Sequence, residues 1–247
     1  MALRERLGAI VRRAMKPGIS SERPAHVDEM RSLLFELRGR GLRCRSILDV
    51  GAHQGLWSGM AAEPFPSARF FLIEPQVEMK PLLEAFCQRH PGSRWFQAGA
   101  GAAPGELTLT IGADSSGSSF LPEPSPEQER SGGRRRVPVV TIDSLLEEGA
   151  IVMPDLVKLD VQGFELEALR GGQRLFGPVE AFIVETSLYR FLPGIPLFHE
   201  VVAFMAERDY YAYDLGGSLR RPWDRALGQV DVCFARRSGV LRATDRW

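Results

Sequence analysis

The chain has 247 residues, 44% of them hydrophobic, and its 31 lysines and arginines balance 31 aspartates and glutamates. This composition is typical of a globular protein with one full hydrophobic core, and zero net charge argues against a nucleic-acid partner. The three cysteines, Cys44, Cys87 and Cys233, form no Cys-x-x-Cys pair, which argues against a disulfide framework or a structural zinc site. We therefore expect small-molecule chemistry in a reducing cytoplasm, with no membrane span.

The first 45 residues predict a helical appendage ahead of the main domain at 46–247. Residues 1–16 place apolar side chains on one helical face and basic side chains elsewhere, which predicts an amphipathic helix. This helix caps the domain, forms a homodimer contact or lies on a membrane surface. Because it is short and lacks aromatic anchors, the first two roles are favoured. A second helix is predicted from His26 to about Arg40.

From Ser46 onward, short apolar runs alternate with segments of helical length, the pattern of βαβ units and a parallel sheet. A final pair of strands closes the domain. The predicted strands are 47–50, 70–73, 95–98, 156–159, 182–184 and 230–234, and the predicted helices are 56–62, 77–88, 164–176 and 197–208. The sequence therefore predicts an α/β fold with a doubly wound, mostly parallel sheet.

An insert interrupts this alternation at residues 104–142. Alternating apolar residues at 106–111 and 137–142 predict an inserted antiparallel hairpin. The intervening residues 115–136 are rich in Ser, Pro, Gly, Glu and Arg. A connection of this length is either a functional lid or a disordered linker, and its composition fits both.

The turn after the first predicted strand carries the first sign of a ligand. Asp49 and Gly51 end the strand, and Gly55 opens the next helix. Glycines let a ligand approach the backbone, and helix N-terminal amides are free to face it. The Gly-x-x-x-Gly spacing differs from that of dinucleotide-binding turns, which disfavours an NAD-linked oxidoreductase. A carboxylate here suits a ligand with an ammonium group, and S-adenosylmethionine carries one.

Glu74 gives the second sign of a ligand. It ends the second predicted strand about 20 residues after the glycine turn, where a carboxylate can accept both ribose hydroxyls of a nucleoside. Alternatively, Glu74 is an exposed acid at the end of a strand and binds no ligand. Because open α/β sheets bind ligands beyond the carboxyl ends of their strands, the two signs together favour a nucleoside ligand.

A series of short motifs runs from about Ile47 to Phe234. They are Asp49-Val50-Gly51-Ala52-x-x-Gly55, Glu74-Pro75, Gly117-Ser118-Ser119-Phe120, Val139-x-Thr141-Ile142-Asp143, Lys158-Leu159-Asp160-Val161-Gln162-Gly163-Phe164-Glu165 and Val184-Glu185. Together they resemble the FkbM-type S-adenosylmethionine-dependent methyltransferases. The resemblance implies a class I methyltransferase fold and O-methylation of a small molecule or a saccharide. It also implies that Ser119 belongs to the cofactor site.

Two positions depart from the family pattern. His53 stands where the family generally has Asn, and the turn after the third predicted strand lacks an acid for the adenine amino group. We therefore expect the backbone of Ala98 and Gly99 to contact adenine. His53 acts either as a general base or as a hydrogen-bonding residue that shapes the turn. The other histidines have no ligand spacing with it, so we expect no metal.

Methyl transfer to a hydroxyl needs a group that accepts the hydroxyl proton. Asp160 ends the fourth predicted strand, beside the first, and is the first candidate for both catalysis and cofactor binding. Alternatively, it caps the following helix. Glu185 ends the fifth predicted strand and either contacts the acceptor or serves a structural ion pair.

The sequence thus favours an S-adenosylmethionine-dependent O-methyltransferase for a small metabolite or glycosyl acceptor. An N-methyltransferase and a catalytically silent domain that binds the nucleoside are the alternatives. The presence of the glycine turn and of the strand-end acids favours an enzyme over the silent domain. We expect the acceptor to contact the loops at 112–136 and 187–197.

Overall fold

A computed structural model describes residues 25–111, 115–121, 133–244 and 246. The predicted amphipathic helix at 1–16 and residues 122–132 of the predicted loop at 115–136 lie outside these residues. Within the described parts of the chain, a seven-stranded sheet and a three-stranded sheet are present. None of the helices described there combines the length and apolar character that crossing a membrane requires.

The helices and strands follow one another in the predicted alternation. The helices are α1 (Ala25–Gly39), α2 (Leu56–Ala62), α3 (Lys80–Arg89), α4 (Ile142–Glu147), α5 (Glu165–Arg170) and α6 (Phe198–Ala206). The strands are β1 (Ser46–Val50), β2 (Arg69–Ile73), β3 (Arg94–Phe96), β4 (Gly99–Ala100), β5 (Gly105–Thr110), β6 (Arg134–Val140), β7 (Leu156–Leu159), β8 (Ala181–Ser187), β9 (Tyr210–Arg220) and β10 (Leu227–Arg236).

The central sheet has the order β3-β2-β1-β7-β8-β10-β9. Its first five strands are parallel, whereas β10 runs antiparallel to both β8 and β9. The predicted doubly wound, mostly parallel sheet is confirmed. Because β1 lies between β2 and β7, the residues that follow these three strands meet at one edge of the sheet.

Two hydrophobic clusters cover the two faces of the sheet. Successive residues of β1 point to opposite faces, so Ile47 belongs to one cluster and Leu48 to the other. Burial on both faces explains why the strands read as continuous apolar runs rather than as alternating patterns. Helix α1 contributes Met30 and Leu34 to the same cluster as Ile47, which fixes this helix against the sheet.

The insert forms the predicted antiparallel pair, but its second strand is shifted. Strand β6 pairs antiparallel with β5 and ends at Val140 rather than at Ile142. The Thr141 side chain accepts a hydrogen bond from the Ser144 backbone N–H and caps α4, which the sequence reading did not predict. Strand β4, also unpredicted, joins β6 in parallel and attaches the hairpin to the chain after β3.

The predicted helix at 164–176 is also shorter in the structure. Helix α5 ends at Arg170, and a separate 3-10 turn covers Gln173–Leu175. A Cβ atom on Gly171 would lie 1.9 Å from the backbone oxygen of Gly101. The close approach of these two backbones therefore explains the glycine, which also interrupts the helix.

Candidate active site

A cavity of about 330 Å³ lies beyond the carboxyl ends of β1, β2 and β7. This volume is within the range of small-molecule sites. Six of the predicted site residues line it, namely Gly51, His53, Glu74, Ala98, Gly99 and Asp160. The other four, Asp49, Gly55, Ser119 and Glu185, do not line it. The predicted residues therefore divide into a lining set and a supporting set.

The glycine turn is shaped by contact with β7. Gly51 has φ of 82° and Gly55 has φ of 75°, a conformation that favours glycine. A Cβ atom on Gly51 would lie 1.9 Å from the backbone oxygen of Asp160. His53 shares the left-handed conformation, with φ of 44°. The turn thus needs Gly51 for the packing of two strand ends, whether or not a ligand is bound.

Asp49 lies behind the cavity wall. It is fully buried, and its Oδ2 accepts a hydrogen bond of 2.6 Å from the Ser58 hydroxyl. Its Oδ1 is buried and has no hydrogen-bond partner among the residues that the structure describes. Burial raises the pKa of Asp49 to about 6, against the opposing effect of Lys158. Any influence of Asp49 on a ligand therefore passes through the turn in front of it.

Glu74 presents a fixed carboxylate to the cavity. Its Oε2 accepts the backbone N–H of His53 at 2.8 Å, and its Oε1 accepts that of Gln76 at 2.8 Å. Burial raises the pKa of Glu74, and these hydrogen bonds oppose that effect. Each carboxylate oxygen can accept more than one hydrogen bond, so both remain able to accept a ligand hydroxyl. This donor and acceptor pattern fits the ribose of a nucleoside.

Residues Ser115–Leu121 of the insert form one wall of the cavity, and we call this segment the strap. The Ser115 hydroxyl lies 2.8 Å from Nε2 of His53. The Gln76 side-chain amide donates to the backbone oxygen of Ser115 at 3.0 Å. The strap is therefore joined to the segments that follow β1 and β2.

The same strap is joined to the segment after β7 and to the floor of the cavity. The Ser119 hydroxyl donates to the backbone oxygen of Gln162 at 2.6 Å and accepts the N–H of Leu121 at 3.0 Å. The Phe120 ring lies against Gly99, where a Cβ atom would come within 2.4 Å of it. Ser119 therefore holds the wall in place, and the Phe120 ring closes the space over Gly99.

Asp160 is held by two side chains. Its Oδ2 pairs with the Lys158 ammonium at 2.8 Å, and its Oδ1 accepts from the Gln162 amide at 2.8 Å. Burial alone would raise the pKa of Asp160, but Lys158 outweighs it and the pKa is lowered. The helix-cap alternative for Asp160 does not hold, because Glu165 accepts the backbone N–H groups of Val161 and Gly163 instead.

Glu185 lies behind Asp160 rather than in the cavity. The Gln162 amide, which bonds Asp160, also donates to Oε2 of Glu185 at 2.9 Å, and Gln229 donates there at 2.9 Å. Burial, together with the nearby charges of Asp160 and Asp231, raises the pKa of Glu185 well above its usual range. Glu185 therefore reaches the cavity only through Gln162, which lines it.

The sequence reading assigned no role to several lining residues. Lys158 and Asp231 line the cavity, and of these two only Lys158 belongs to one of the motifs given above. Helices α1 and α2 contribute apolar side chains to the lining, which we call the apolar wall: Val27, Met30, Leu56, Trp57 and Met60. Within the described residues, no three His, Cys, Asp or Glu side chains are grouped so that they could hold a metal ion.

Comparison with known proteins identifies the family to which this chain is similar. Residues 49–211 match the family model of the methyltransferase FkbM domain. Hexuronic acid methyltransferase AglP of Haloferax volcanii is 28% identical over 143 residues, which are 56% of this chain and 54% of that protein. The match therefore spans about half of the length of this curated relative.

Solved methyltransferase structures are similar to this one at low sequence identity. Magnesium protoporphyrin IX methyltransferase from Synechocystis PCC 6803, with bound SAM, has a TM-score of 0.49 and 12% identity, over 85% of this chain and 77% of that chain. N-methyltransferase NodS from Bradyrhizobium japonicum WM9 has a TM-score of 0.49 and 9% identity, over 86% of this chain and 97% of that chain.

Proposed function

We propose, from the fact that this chain belongs to the FkbM methyltransferase family, that it methylates a hydroxyl group of a small metabolite or glycosyl acceptor. S-adenosylmethionine is the cofactor, and it supplies a methyl group carried on a positively charged sulfur. The observation that carries the proposal is the cavity, which has the fixed Glu74 carboxylate at one end and the Lys158–Asp160 pair at the other.

The lining residues suggest how the cofactor is held. We assign the ribose hydroxyls to Glu74, whose two oxygens keep free acceptor positions. The backbone of Ala98 and Gly99 is assigned to adenine, and the turn Gly51–Gly55 to the methionine part. Asp49 and Ser119 support this site from behind, through Ser58 and the strap respectively.

Asp160 is the proposed catalytic carboxylate at the other end of the cavity. Its ion pair with Lys158 keeps it ionised near neutral pH, so its charge favours a cationic sulfur nearby. His53 lines the cavity, but its contact with Ser115 supports a turn-shaping role over that of a base. Glu185 is proposed to act through the Gln162 amide, which positions Asp160.

The class of acceptor, the cellular compartment and the oligomeric state remain proposals. The similarity to the hexuronic acid methyltransferase AglP supports a glycosyl acceptor for this chain. The three cysteines are free thiols, which supports a reducing compartment such as the cytoplasm. A homodimer formed through residues 1–16 stays a prediction, because that segment lies outside the described residues.

The test is to find what the protein methylates. Incubation of the protein with methyl-labelled S-adenosylmethionine and an extract of small molecules should label a product that is absent without the protein. Carbon NMR of the transferred methyl group distinguishes an ether from an amine. Label on oxygen supports the proposal, label on nitrogen replaces it with N-methylation, and binding without any transfer indicates a silent domain.

A further inference from the structure

The carboxyl groups of Glu74, Asp160 and Asp231 line the cavity, and they differ in the number of hydrogen bonds that they accept from the protein. Glu74 and Asp160 each accept two hydrogen bonds from the protein. Asp231 accepts none from any described residue, and its Oδ1 is buried. A buried acceptor without a donor costs free energy, so a ligand hydroxyl that donates to Asp231 would satisfy a group that the described protein residues leave without a donor.

The place of Asp231 in the sheet puts it at the acceptor end of the cavity. It lies on β10, opposite Glu185 of β8, and is therefore three strands away from β1 on the side opposite Glu74. Its charged neighbours are Lys158 of β7, Asp160 and Glu165 after β7, and Glu185. From β9 its partner is a glycine, which carries no charge.

The apolar wall lines the same cavity without offering a charged group. Met30 and Trp57 are buried in the core cluster, whereas Leu56 is 70% exposed. Trp57 adds an indole Nε1 that is buried and has no hydrogen-bond partner among the described residues. This wall suits the uncharged face of a ring or chain, and an anionic group would meet the carboxylates beside it.

We propose that the acceptor lies between Asp231 and the apolar wall, with an uncharged face on the wall, and that Asp231 takes up the proton of its hydroxyl. This inference rests on the proposed function and assigns the proton acceptor that the function needs. Asp160, paired with Lys158, then serves to orient the acceptor and to attract the cationic sulfur.

The transfer balances with Asp231 as the proton acceptor. The acceptor oxygen forms a bond to the methyl carbon as the carbon–sulfur bond breaks, and the electron pair of that bond stays on sulfur, which becomes neutral. The hydroxyl proton passes to the Asp231 carboxylate, which becomes a neutral acid. The proton returns to water when the cavity opens, and no oxidant or further reactant is needed.

The electrostatic surroundings agree with this role. Burial, together with the charges of Asp160 and Glu165, raises the pKa of Asp231 to about 7 against the attraction of Lys158. A general base works best when its pKa is near the working pH, because a large fraction of it is then ionised and its affinity for a proton is still high. The lowered pKa of Asp160 makes that carboxylate a weaker base at the same pH.

The first experiment compares Asp231→Asn with the matched control Asp209→Asn. Asp209 precedes β9 at the opposite edge of the sheet. With the labelled extract, single-turnover transfer by the wild type should fall as the pH drops below about 7. Asp231→Asn should slow transfer about 100-fold or more and remove this pH dependence. Asp209→Asn should keep the rate and the pH dependence of the wild type. A variant that keeps a tenth of the rate, or keeps the pH dependence, overturns the proposal.

The second experiment needs no acceptor and no turnover. Calorimetry in buffers of different ionisation enthalpy measures the protons released on binding at pH 7. S-adenosylmethionine should release more protons than S-adenosylhomocysteine from the wild type, because the cationic sulfur lowers the pKa of Asp231. Asp231→Asn should lose this difference, and Asp209→Asn should keep it.

These two experiments separate the possible failures. An unchanged proton difference in Asp231→Asn means that Asp231 is out of reach of the sulfur, and the inference is wrong. If the wild type labels no oxygen in any extract, the proposed function fails, whatever the calorimetry shows. If methyl transfer requires Asp160 but not Asp231, the proposed function stands, the inference about Asp231 is wrong, and Asp160 is the proton acceptor.

Discussion

Glu74 is oriented before any ligand arrives, because its two oxygens accept the backbone N–H groups of His53 and Gln76. We expect Glu74→Gln to weaken S-adenosylhomocysteine binding by about 2 kcal/mol or more, which is roughly 30-fold. The glutamine amide lacks the negative charge of the carboxylate, and its NH₂ group replaces one of the two oxygens that accept hydrogen bonds. Isothermal titration calorimetry measures the affinity.

The matched control for Glu74 is Glu78→Gln, a few residues along the chain. Glu78 is exposed and pairs with Arg135, so the same change there should leave the affinity within about twofold. If both variants bind as tightly as the wild type, Glu74 does not contact the ribose. Circular dichroism of each variant shows whether the fold is retained.

Asp160→Asn keeps the shape and the Gln162 contact of the side chain but removes the charge opposite Lys158. We expect turnover to fall about 100-fold with little change in the affinity for S-adenosylhomocysteine, whose sulfur is neutral, because the acceptor loses its orienting carboxylate. Steady-state kinetics and calorimetry check the two expectations. An equal loss in turnover and in cofactor affinity would instead make Asp160 a cofactor ligand.

Sequence reasoning found the residues that follow parallel strands, because such residues are close both in sequence to a strand and in space to one another. Gly51, Glu74 and Asp160 line one cavity for this reason. Asp231 escaped this reasoning because it lies within β10, which runs antiparallel, and not after the end of a strand. The contact of Gly51 with the Asp160 backbone likewise depends on a strand pairing that the sequence does not display.

The strap and the central site are fitted to each other at Gly99. A Cβ atom there would meet the Phe120 ring at 2.4 Å, and that ring also contacts the Phe164 ring at 5.3 Å between centroids. We expect Gly99→Ala to lower the free energy of unfolding by about 1 to 3 kcal/mol, because the ring must move. Urea denaturation measures this change.

A second substitution tests that cause. Phe120→Leu added to Gly99→Ala makes room for the methyl group, so the double variant should recover part of the lost stability relative to the sum of the single changes. If the changes in the free energy of unfolding of the two single variants simply add, Gly99→Ala does not displace the Phe120 ring.

At the scale of the elements, apolar periodicity predicted the strands of the central sheet and the hairpin of the insert. It misplaced the end of β6, because Val139 to Ile142 continues an apolar pattern across the cap at Thr141. A single side-chain hydrogen bond ends the strand and begins α4 there. The short strand β4 has two residues, too few to produce a periodic signal.

Over the whole molecule, buried carboxyl groups make stability depend on pH. Burial raises the pKa of Glu165 and that of Asp231 to about 7 each, above their values in an unfolded chain. The folded protein therefore binds more protons, and this stabilisation is lost as the pH rises through 7. We expect the free energy of unfolding to fall by about 1 kcal/mol for each group between pH 6 and pH 8.

Urea denaturation at several pH values checks this slope. Glu165→Gln keeps an oxygen that can accept the N–H groups of Val161 and Gly163, so it should fold and show a smaller slope. Glu167→Gln, two residues away on the surface, should keep the slope of the wild type. Stability that rises from pH 6 to pH 8 would contradict the proton balance.

The strap has a consequence for the speed of repeated turnover. It is tied to His53, Gln76 and Gln162, so the wall that helps hold the cofactor also holds the spent S-adenosylhomocysteine. Each tie adds about 1 kcal/mol to the cost of loosening that wall. We expect departure of the spent cofactor to be slower than methylation, so that a rapid-quench time course begins with a burst of one product per protein molecule.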